Sequence, residues 1–229
     1  MALDSPEPAK LRISSAARLN APPRWLKPVV HLLAALPALW LLWAWGDLLF
    51  LNPASMQLSA EPVAYTHNLL GLTALRCLLA CLAVTPVFKL SGWTPVMSLR
   101  RMLGLWAFAY AVAHLLFYMA MELDFSLTLL LKEVAKRQFI LFGMLALLSM
   151  LPLALTSTRA AIKRLGGRAW QRLHRLVYLA GLAAAVHFIL RVKGFQLEPW
   201  VYLVVLVLLL AIRLLPNRKR ASRAAAQPA

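Results

Sequence analysis

Long stretches without charge are the feature that most constrains this sequence. Six stretches are almost entirely apolar and come close to the roughly 20 residues that a helix needs to cross a bilayer. They cover residues 29–50, 69–88, 102–121, 138–156, 170–192 and 200–215. Because their apolar residues are continuous and do not alternate with polar ones, a membrane β-barrel is disfavoured. The sequence therefore predicts an all-α protein, a polytopic membrane bundle of six transmembrane helices.

The basic residues predict an orientation for this bundle. The segments at one end of the six stretches hold 19 of the 25 Lys and Arg, the opposite loops hold five, and Arg76 lies within the second stretch. Cytoplasmic loops carry the excess of Lys and Arg, so both termini are predicted to be cytoplasmic. Residues 1–24 then form a flexible basic arm, 25–216 the transmembrane domain and 217–229 a basic tail. The net charge of +17 is explained by these loops and by membrane lipid, without nucleic acid as a partner.

The fifth stretch carries two histidines thirteen positions apart, His174 and His187, with no charge between Arg175 and the second of them. Thirteen residues of α-helix rise about 20 Å, so a single helix would place an imidazole near each face of the bilayer. Ionisable residues inside membranes mark functional sites by default, and two metal-ligating side chains at opposite depths indicate a path for electrons. At about 100° per residue the two rings would lie about 140° apart around the axis, which a π-bulge near Gly181 would correct.

The remaining histidines are assigned depths from the predicted topology. His114 lies about as far from the outer face as His187, His31 lies at the inner level of His174, and His67 lies at the outer surface before the second stretch. Zinc is disfavoured because no carboxylate or thiolate shares the depth of His114 and His187. Small residues share the helix faces of these two histidines, namely Gly104, Ala107 and Ala111 in the third stretch and Ala180, Ala183 and Ala184 in the fifth. Such seams leave room for a planar group such as haem, and they equally permit close helix packing.

Two segments carry a resemblance to a known family. RRMLGLWAFAYAVAHLLFY (100–118) resembles the third helix of ferric-reductase-like transmembrane proteins. TSTRAAIKRLGGRAWQRLHRLVYLAGLAAAVHF (156–188), with its pattern T-S-T…L-G…W-x-x-L-H-x-x-x-Y, resembles the haem-binding membrane subunit of the bacterial periplasmic protein-methionine-sulfoxide reductase system, the MsrQ (YedZ-like) family. The resemblance implies a multi-pass protein of the bacterial inner membrane with haem b bound by His114, His174 and His187. It also implies a flavin mononucleotide (FMN), whose binding residues the sequence does not identify.

The resemblance also implies partners. Electrons would pass from a cytoplasmic flavin reductase or a membrane quinol to a soluble periplasmic molybdenum enzyme that reduces methionine sulfoxide in oxidised proteins. The chain would then be a non-catalytic electron-transfer subunit of an oxidoreductase. Two other functions stay open. One is a transmembrane ferric or cupric reductase, which is expected to carry FAD and NADPH domains; the other is a proton-coupled transporter with a histidine relay.

The predicted ligand set has open positions. The relatives tend to place a histidine where this sequence has Asn68, beside His67, which puts a ligand role for His67 in question. An inner haem on His174 needs a second ligand, for which His31 is the first choice by depth, and a single haem between His114 and His187 is the alternative. Finally, Arg191 and Lys193 could pair with haem propionates or simply extend to the membrane interface.

Overall fold

The computed structural model describes residues 22–215, so nearly all of the predicted basic arm and the whole predicted basic tail lie outside the described residues. Within that range the chain forms helices joined by turns and contains no strand. The helices are α1 (Leu26–Gly46), α2 (Pro62–Ser91), α3 (Arg100–Glu122), α4 (Leu127–Lys136), α5 (Gln138–Leu155), α6 (Arg159–Leu165), α7 (Gly167–Leu173), α8 (Leu176–Arg191) and α9 (Leu197–Leu214).

Six helical segments are long and apolar enough to cross a membrane, which confirms the predicted number of transmembrane helices. They are α1 with the π-helical turn after it, α2, α3 with the 3₁₀ turn before it, α5, the pair α7–α8, and α9. One boundary differs clearly from the prediction, because α2 begins at Pro62 and not at residue 69. Proline suits the first turn of a helix because its missing N–H would be unpaired there anyway. As a consequence His67 lies inside α2 and not before it.

The fifth predicted helix, 170–192, consists of two helices. α7 and α8 are separated by His174 and Arg175. The backbone N–H groups of Arg175 and Tyr178 bond to carbonyl oxygens three residues back, at 3.1 and 3.0 Å. Bonds of this kind wind the chain at about three residues per turn. The departure from α-helical geometry therefore occurs at His174, and α8 runs through Gly181 without the suggested π-bulge.

Four helices, α2, α3, α5 and α8, form the centre of the bundle. The most extensive interfaces are those of α2 with α3 and of α5 with α8, and α3–α5 and α2–α8 contacts complete the ring. α9 packs against α2 and α8, and α1 packs against α2. The buried core includes Leu78, Leu82, Ala107, Ala180 and Leu206. Side chains that face away from this core are large and apolar, as expected for surfaces in contact with lipid.

The hydroxyl of a tyrosine on α3 bonds to the backbone of α1 beside a proline. Pro37 lies inside α1 and has no N–H to give to the helix. One residue later, the Tyr110 hydroxyl accepts a hydrogen bond from the Ala38 N–H (3.2 Å) and donates one to the Ala34 carbonyl (2.6 Å). In an uninterrupted α-helix these two main-chain groups would bond to each other. The hydroxyl thus fixes α1 against the helix that carries His114.

Two cations attach α9 to α2. The Arg76 guanidinium donates to the Tyr202 hydroxyl (2.7 Å), so this intramembrane arginine joins α2 to α9. The Lys89 ammonium donates to the carbonyls of Arg213 (2.6 Å) and Leu215 (2.8 Å) at the end of α9. Carbonyls in the last turn of a helix have no intrahelical partner, so a cation there satisfies them.

Candidate functional site

Two cavities lie inside the bundle, one toward each end. We call the end formed by the α1–α2, α3–α5 and α8–α9 connections the outer end, following the predicted orientation. The outer cavity is lined by residues of α2, α3, α5 and α8, among them His67, His114, His187 and Arg191. The inner cavity lies toward the opposite end, and His174 lines it. Each of these histidines therefore lines a cavity within the bundle.

The two predicted outer ligands, His114 and His187, face the same cavity. Their ring centres are 6.2 Å apart and their ring planes are nearly perpendicular, at 87°. Two imidazole nitrogens bound to opposite sides of one metal ion, each at about 2 Å, place the ring centres about 6 Å apart. The separation between these helices therefore suits one metal ion shared by the two rings.

The main chain fixes which nitrogen of each outer imidazole is free. Nδ1 of His114 lies 3.1 Å from the carbonyl oxygen of His67, and Nδ1 of His187 lies 2.6 Å from the carbonyl oxygen of Phe139. A carbonyl oxygen only accepts hydrogen bonds, so both Nδ1 atoms carry a proton and donate it. Nε2 of both rings is then unprotonated and available to a metal. Hydrogen bonds of this type orient and polarise the histidine ligands of metal sites.

Glycines on the neighbouring helices make room for both rings. A Cβ atom at Gly71 on α2 would lie 3.0 Å from Cε1 of His114, and one at Gly143 on α5 would lie 2.9 Å from Nδ1 of His187. Carbon atoms do not pack this closely without displacement. These two glycines therefore belong to the site, although the sequence analysis did not include them. The sequence feature that could have indicated them is the single glycine in each of the second and fourth apolar stretches.

His67 lies in the wall of the outer cavity and not at the surface before α2. Its ring centre is 4.1 Å from that of His114, in a T-shaped contact. This separation is too short to hold a metal ion between the two rings, so His67 packs against the His114 ring. The same side chain lines a more open pocket on its other side, together with Glu61 and Glu122. His67 therefore separates the outer cavity from the outer end of the bundle.

The predicted small-residue seams contain residues that line the cavities and residues that pack closely between helices. Ala111 and Ala184 line the outer cavity beside the two histidines. Ala107 and Ala180, one turn further in, are fully buried between helices. Gly104, at the beginning of the α3 seam, lines the inner cavity. Close packing in the middle of the bundle thus alternates with open space toward each end.

The cations near the outer cavity differ in their positions. Arg191, at the end of α8, is part of the cavity wall. Lys193 follows α8 and is not among the residues that line the cavity. Of the two predicted propionate partners, the structure therefore brings only Arg191 to the histidines.

The inner cavity is built around the motif that carries the family resemblance. The rings of His174 and Trp170 are stacked, with centres 3.8 Å apart and planes 28° apart. Nδ1 of His174 donates to the Trp170 carbonyl (3.1 Å), and the Trp170 indole N–H donates to the Thr156 carbonyl (2.9 Å). The first threonine, the tryptophan and the histidine of the motif are thereby joined in one network. Nε2 of His174 remains available for a ligand.

His31 is not brought to His174. The indole N–H of Trp106 donates to Nδ1 of His31 (3.0 Å), with the ring centres 6.1 Å apart. His31 is also not among the residues that line the inner cavity. Within residues 22–215, His174 is the only histidine in the wall of that cavity.

The two cavities adjoin each other. Leu78 of α2 and Met150 of α5 line both of them, and both side chains are buried, at 3% and 6% exposure. A single layer of apolar side chains therefore separates the space beside His114 and His187 from the space beside His174. Groups bound in the two cavities would be close neighbours.

Comparison with known proteins identifies the family of this fold. Residues 70–185 match the ferric reductase like transmembrane component. The protein-methionine-sulfoxide reductase heme-binding subunit MsrQ of Rhodospirillum rubrum is 44% identical over 169 residues, which are 73% of this chain and 81% of the relative. The proteins of the same name from Brucella ovis and Brucella suis biovar 1 are 38% identical over 207 residues, 90% of this chain and of each relative. With six membrane-spanning helices, the chain is a multi-pass protein of the bacterial inner membrane. It belongs to the MsrQ family of haem-binding membrane subunits, within the ferric-reductase-like transmembrane proteins.

Proposed function

We propose that the outer cavity binds a b-type haem whose iron is coordinated by Nε2 of His114 and of His187. The observation that carries this proposal is the 6.2 Å separation of the two rings, with both Nδ1 atoms committed to main-chain carbonyls. Gly71 and Gly143 leave the space that the rings occupy. The relatives are named as haem-binding subunits, and their name supports the same assignment.

A second haem is proposed in the inner cavity, with His174 as its ligand from the protein. Its imidazole is oriented by the stacked Trp170 ring and by the Trp170 carbonyl. The second ligand of this iron is left unassigned, because His31 accepts a hydrogen bond from Trp106 outside the cavity wall.

The proposed function is to pass electrons across the inner membrane. Haem supplies a one-electron couple whose potential depends on its ligands and surroundings. The chain holds and orients the ligands, excludes water with apolar walls, and keeps the two sites one side-chain layer apart at Leu78 and Met150. We propose a cytoplasmic flavin reductase or a membrane quinol as donor, and FMN as an additional cofactor. The acceptor is a periplasmic molybdenum enzyme that reduces methionine sulfoxide, so the chemistry on the sulfoxide is the partner's.

The distribution of acidic residues supports this function over a proton relay. Relays inside membranes use chains of Asp, Glu and His. Within residues 22–215 every carboxylate is near the outer end of the bundle, so none lies between His174 and His187. The six are Asp47, Glu61, Glu122, Asp124, Glu133 and Glu198.

The absorption spectrum of the purified chain tests this proposal. We expect a Soret band that shifts on reduction with dithionite, and a haem-to-chain ratio of about two by the pyridine haemochrome method. His174→Ala should remove the inner component and spare the outer one. A chain purified without any haem after expression with haem supplementation would refute the proposed function.

We also propose that both termini face the cytoplasm, as the 19 to five distribution of Lys and Arg predicts. Reporter domains inserted after Pro53, between α1 and α2, and after Leu197, at the start of α9, should be exposed to the periplasm. A cytoplasmic signal at either position would reverse the outer and inner ends as named above.

A further inference from the structure

The inner end of the bundle carries positive charge that no carboxylate of the described residues balances. All six described Asp and Glu are near the outer end. The one ion pair within residues 22–215, between Glu133 and Arg137, also lies there. At the inner end, by contrast, three arginines line the cavity. They are Arg100, Arg101 and Arg213.

Arg213, in the last turn of α9, is held in place by neutral groups of the protein. One terminal nitrogen donates to the Tyr178 hydroxyl (3.0 Å) and the other donates to the Leu82 carbonyl (2.6 Å). Its Nε is buried and has no hydrogen-bond partner among the described residues. A guanidinium has five N–H donors, so these contacts orient the group while neutralising none of its charge.

Burial of the Arg213 Nε without a counter-ion is unfavourable, because the charged group loses hydration there. Arg100 and Arg101 come from the start of α3 and Arg213 from the end of α9, so arginines of two helices line one cavity. The stacked rings of His174 and Trp170 supply a planar aromatic wall in the same space. Together these features define the ligand by its chemistry, as a flat group that carries acidic substituents.

We propose that Arg213, together with Arg100 and Arg101, binds the acidic substituents of a planar cofactor in the inner cavity. This inference rests on the proposed function, in which His174 holds an inner cofactor. The acidic groups are either the carboxylates of the inner haem or the phosphate of FMN. Guanidinium groups bind both in the same paired geometry. The role of Arg213 is to position the cofactor and to set its potential, while Arg191 is the corresponding cation of the outer cavity.

The substitution Arg213→Gln in the full chain tests this role. A nearby positive charge favours the reduced form of a haem because reduction adds negative charge. If haem carboxylates are the ligand, the midpoint potential of the inner haem should fall by about 59 mV, a tenfold change in a one-electron equilibrium. The outer haem should keep its potential. Arg213→Lys, which retains the charge, should recover most of the shift.

If a flavin phosphate is the ligand, a different quantity should change. Flavin released from the purified Arg213→Gln protein should fall about tenfold, while the haem content and the potential of the outer haem stay at the parent values. Flavin is measured by its fluorescence after denaturation, and haem as pyridine haemochrome. Each result identifies one source of the same acidic group.

A matched variant separates charge in the cavity from helix packing. Arg76→Gln removes an intramembrane guanidinium that also contacts α9, through Tyr202, but lines neither cavity. This variant should retain parental flavin content and haem potentials.

The inference is overturned if Arg213→Gln leaves the haem content, flavin content and both potentials equal to those of the parent. It is also overturned if Arg76→Gln causes the same loss, since the effect would then come from packing of α9. In either case an intact outer haem signal would leave the proposed function standing, whereas a parent chain without haem would remove both.

Discussion

The outer and inner cavities adjoin within one bundle and differ in the groups that line them. The outer cavity is lined by three histidines, His67, His114 and His187, and a single arginine, Arg191. The inner cavity is lined by one histidine, His174, and three arginines. Histidines are thus concentrated at the outer end, and arginines at the inner end. In the proposed function, electrons that move outward would pass from a basic site to a site with two protein ligands for iron.

The two cavities also hold their histidines in different ways. The outer rings are held by main-chain carbonyls of neighbouring helices and fit into space left by glycines on those helices. Their geometry therefore depends on how α2, α3, α5 and α8 pack. The inner ring is fixed locally, by Trp170 four residues earlier in the chain. We therefore expect the outer site to respond to small changes in helix packing and the inner site to respond to changes of charge.

The largest effect is expected from removal of the shared outer ligands. His114→Ala and His187→Ala should each abolish the outer low-spin signal, because either change leaves the iron with one strong-field ligand. The double variant should be little worse than either single one, since the two residues act as a unit. Absorption and electron paramagnetic resonance spectra measure this. Separate components that add in the double variant would show that the two rings bind different irons.

Much of the fold follows from the sequence because a bilayer leaves few alternatives. The backbone of a spanning segment must satisfy its own hydrogen bonds, so an uncharged stretch of sufficient length becomes a helix. Helix direction then alternates, and this alternation alone predicted that His114 and His187 share a depth. The cavity that both line agrees with that prediction.

The other features of the fold and of the site depend on contacts between helices, which the sequence does not specify. Polar Thr66, His67 and Asn68 lower the local hydropathy, so the start of α2 at Pro62 was missed and His67 was assigned to the surface. No glycine or proline marks the turn at His174. The roles of Gly71 and Gly143 become visible only when their neighbours, the rings of two other helices, are known.

The second-largest effect is expected at Gly71 and Gly143. Alanine is favoured over glycine inside a helix by about 1 kcal/mol, so Gly46→Ala, with nothing within 4 Å of its added carbon, should keep or raise stability. Gly143→Ala places the same carbon 2.9 Å from Nδ1 of His187. We expect a loss of about 10–100-fold in affinity for the outer haem, as when an orienting group of a metal ligand is removed.

Haem content and reduced-minus-oxidised spectra of Gly71→Ala, Gly143→Ala and Gly46→Ala measure this difference. The inner component, which depends on local contacts of His174, should be unchanged in all three variants. Equal loss of both components in Gly143→Ala would mean that the two cavities do not respond separately to packing.

The smallest effect is expected at the third imidazole of the outer cavity. His67→Leu removes a ring that packs 4.1 Å from the His114 ring, but it leaves the main-chain carbonyl that accepts the His114 Nδ1 proton. Leucine also fills much of the same space, so the cost in stability should be about 1 kcal/mol or less. The outer low-spin spectrum should therefore be retained.

The property that His67→Leu should change is the exposure of the outer cavity to the outer end of the bundle. His67 stands between the outer cavity and the open pocket that Glu61 and Glu122 line, so its replacement alters the polarity of that wall without altering the ligands. We expect an unchanged spectrum together with a small shift in the outer midpoint potential, since haem potentials depend on solvent exposure and nearby polar groups. If His67→Leu instead abolishes the low-spin signal as His114→Ala does, His67 is an iron ligand. The outer cavity would then contain a ligand set other than His114 and His187.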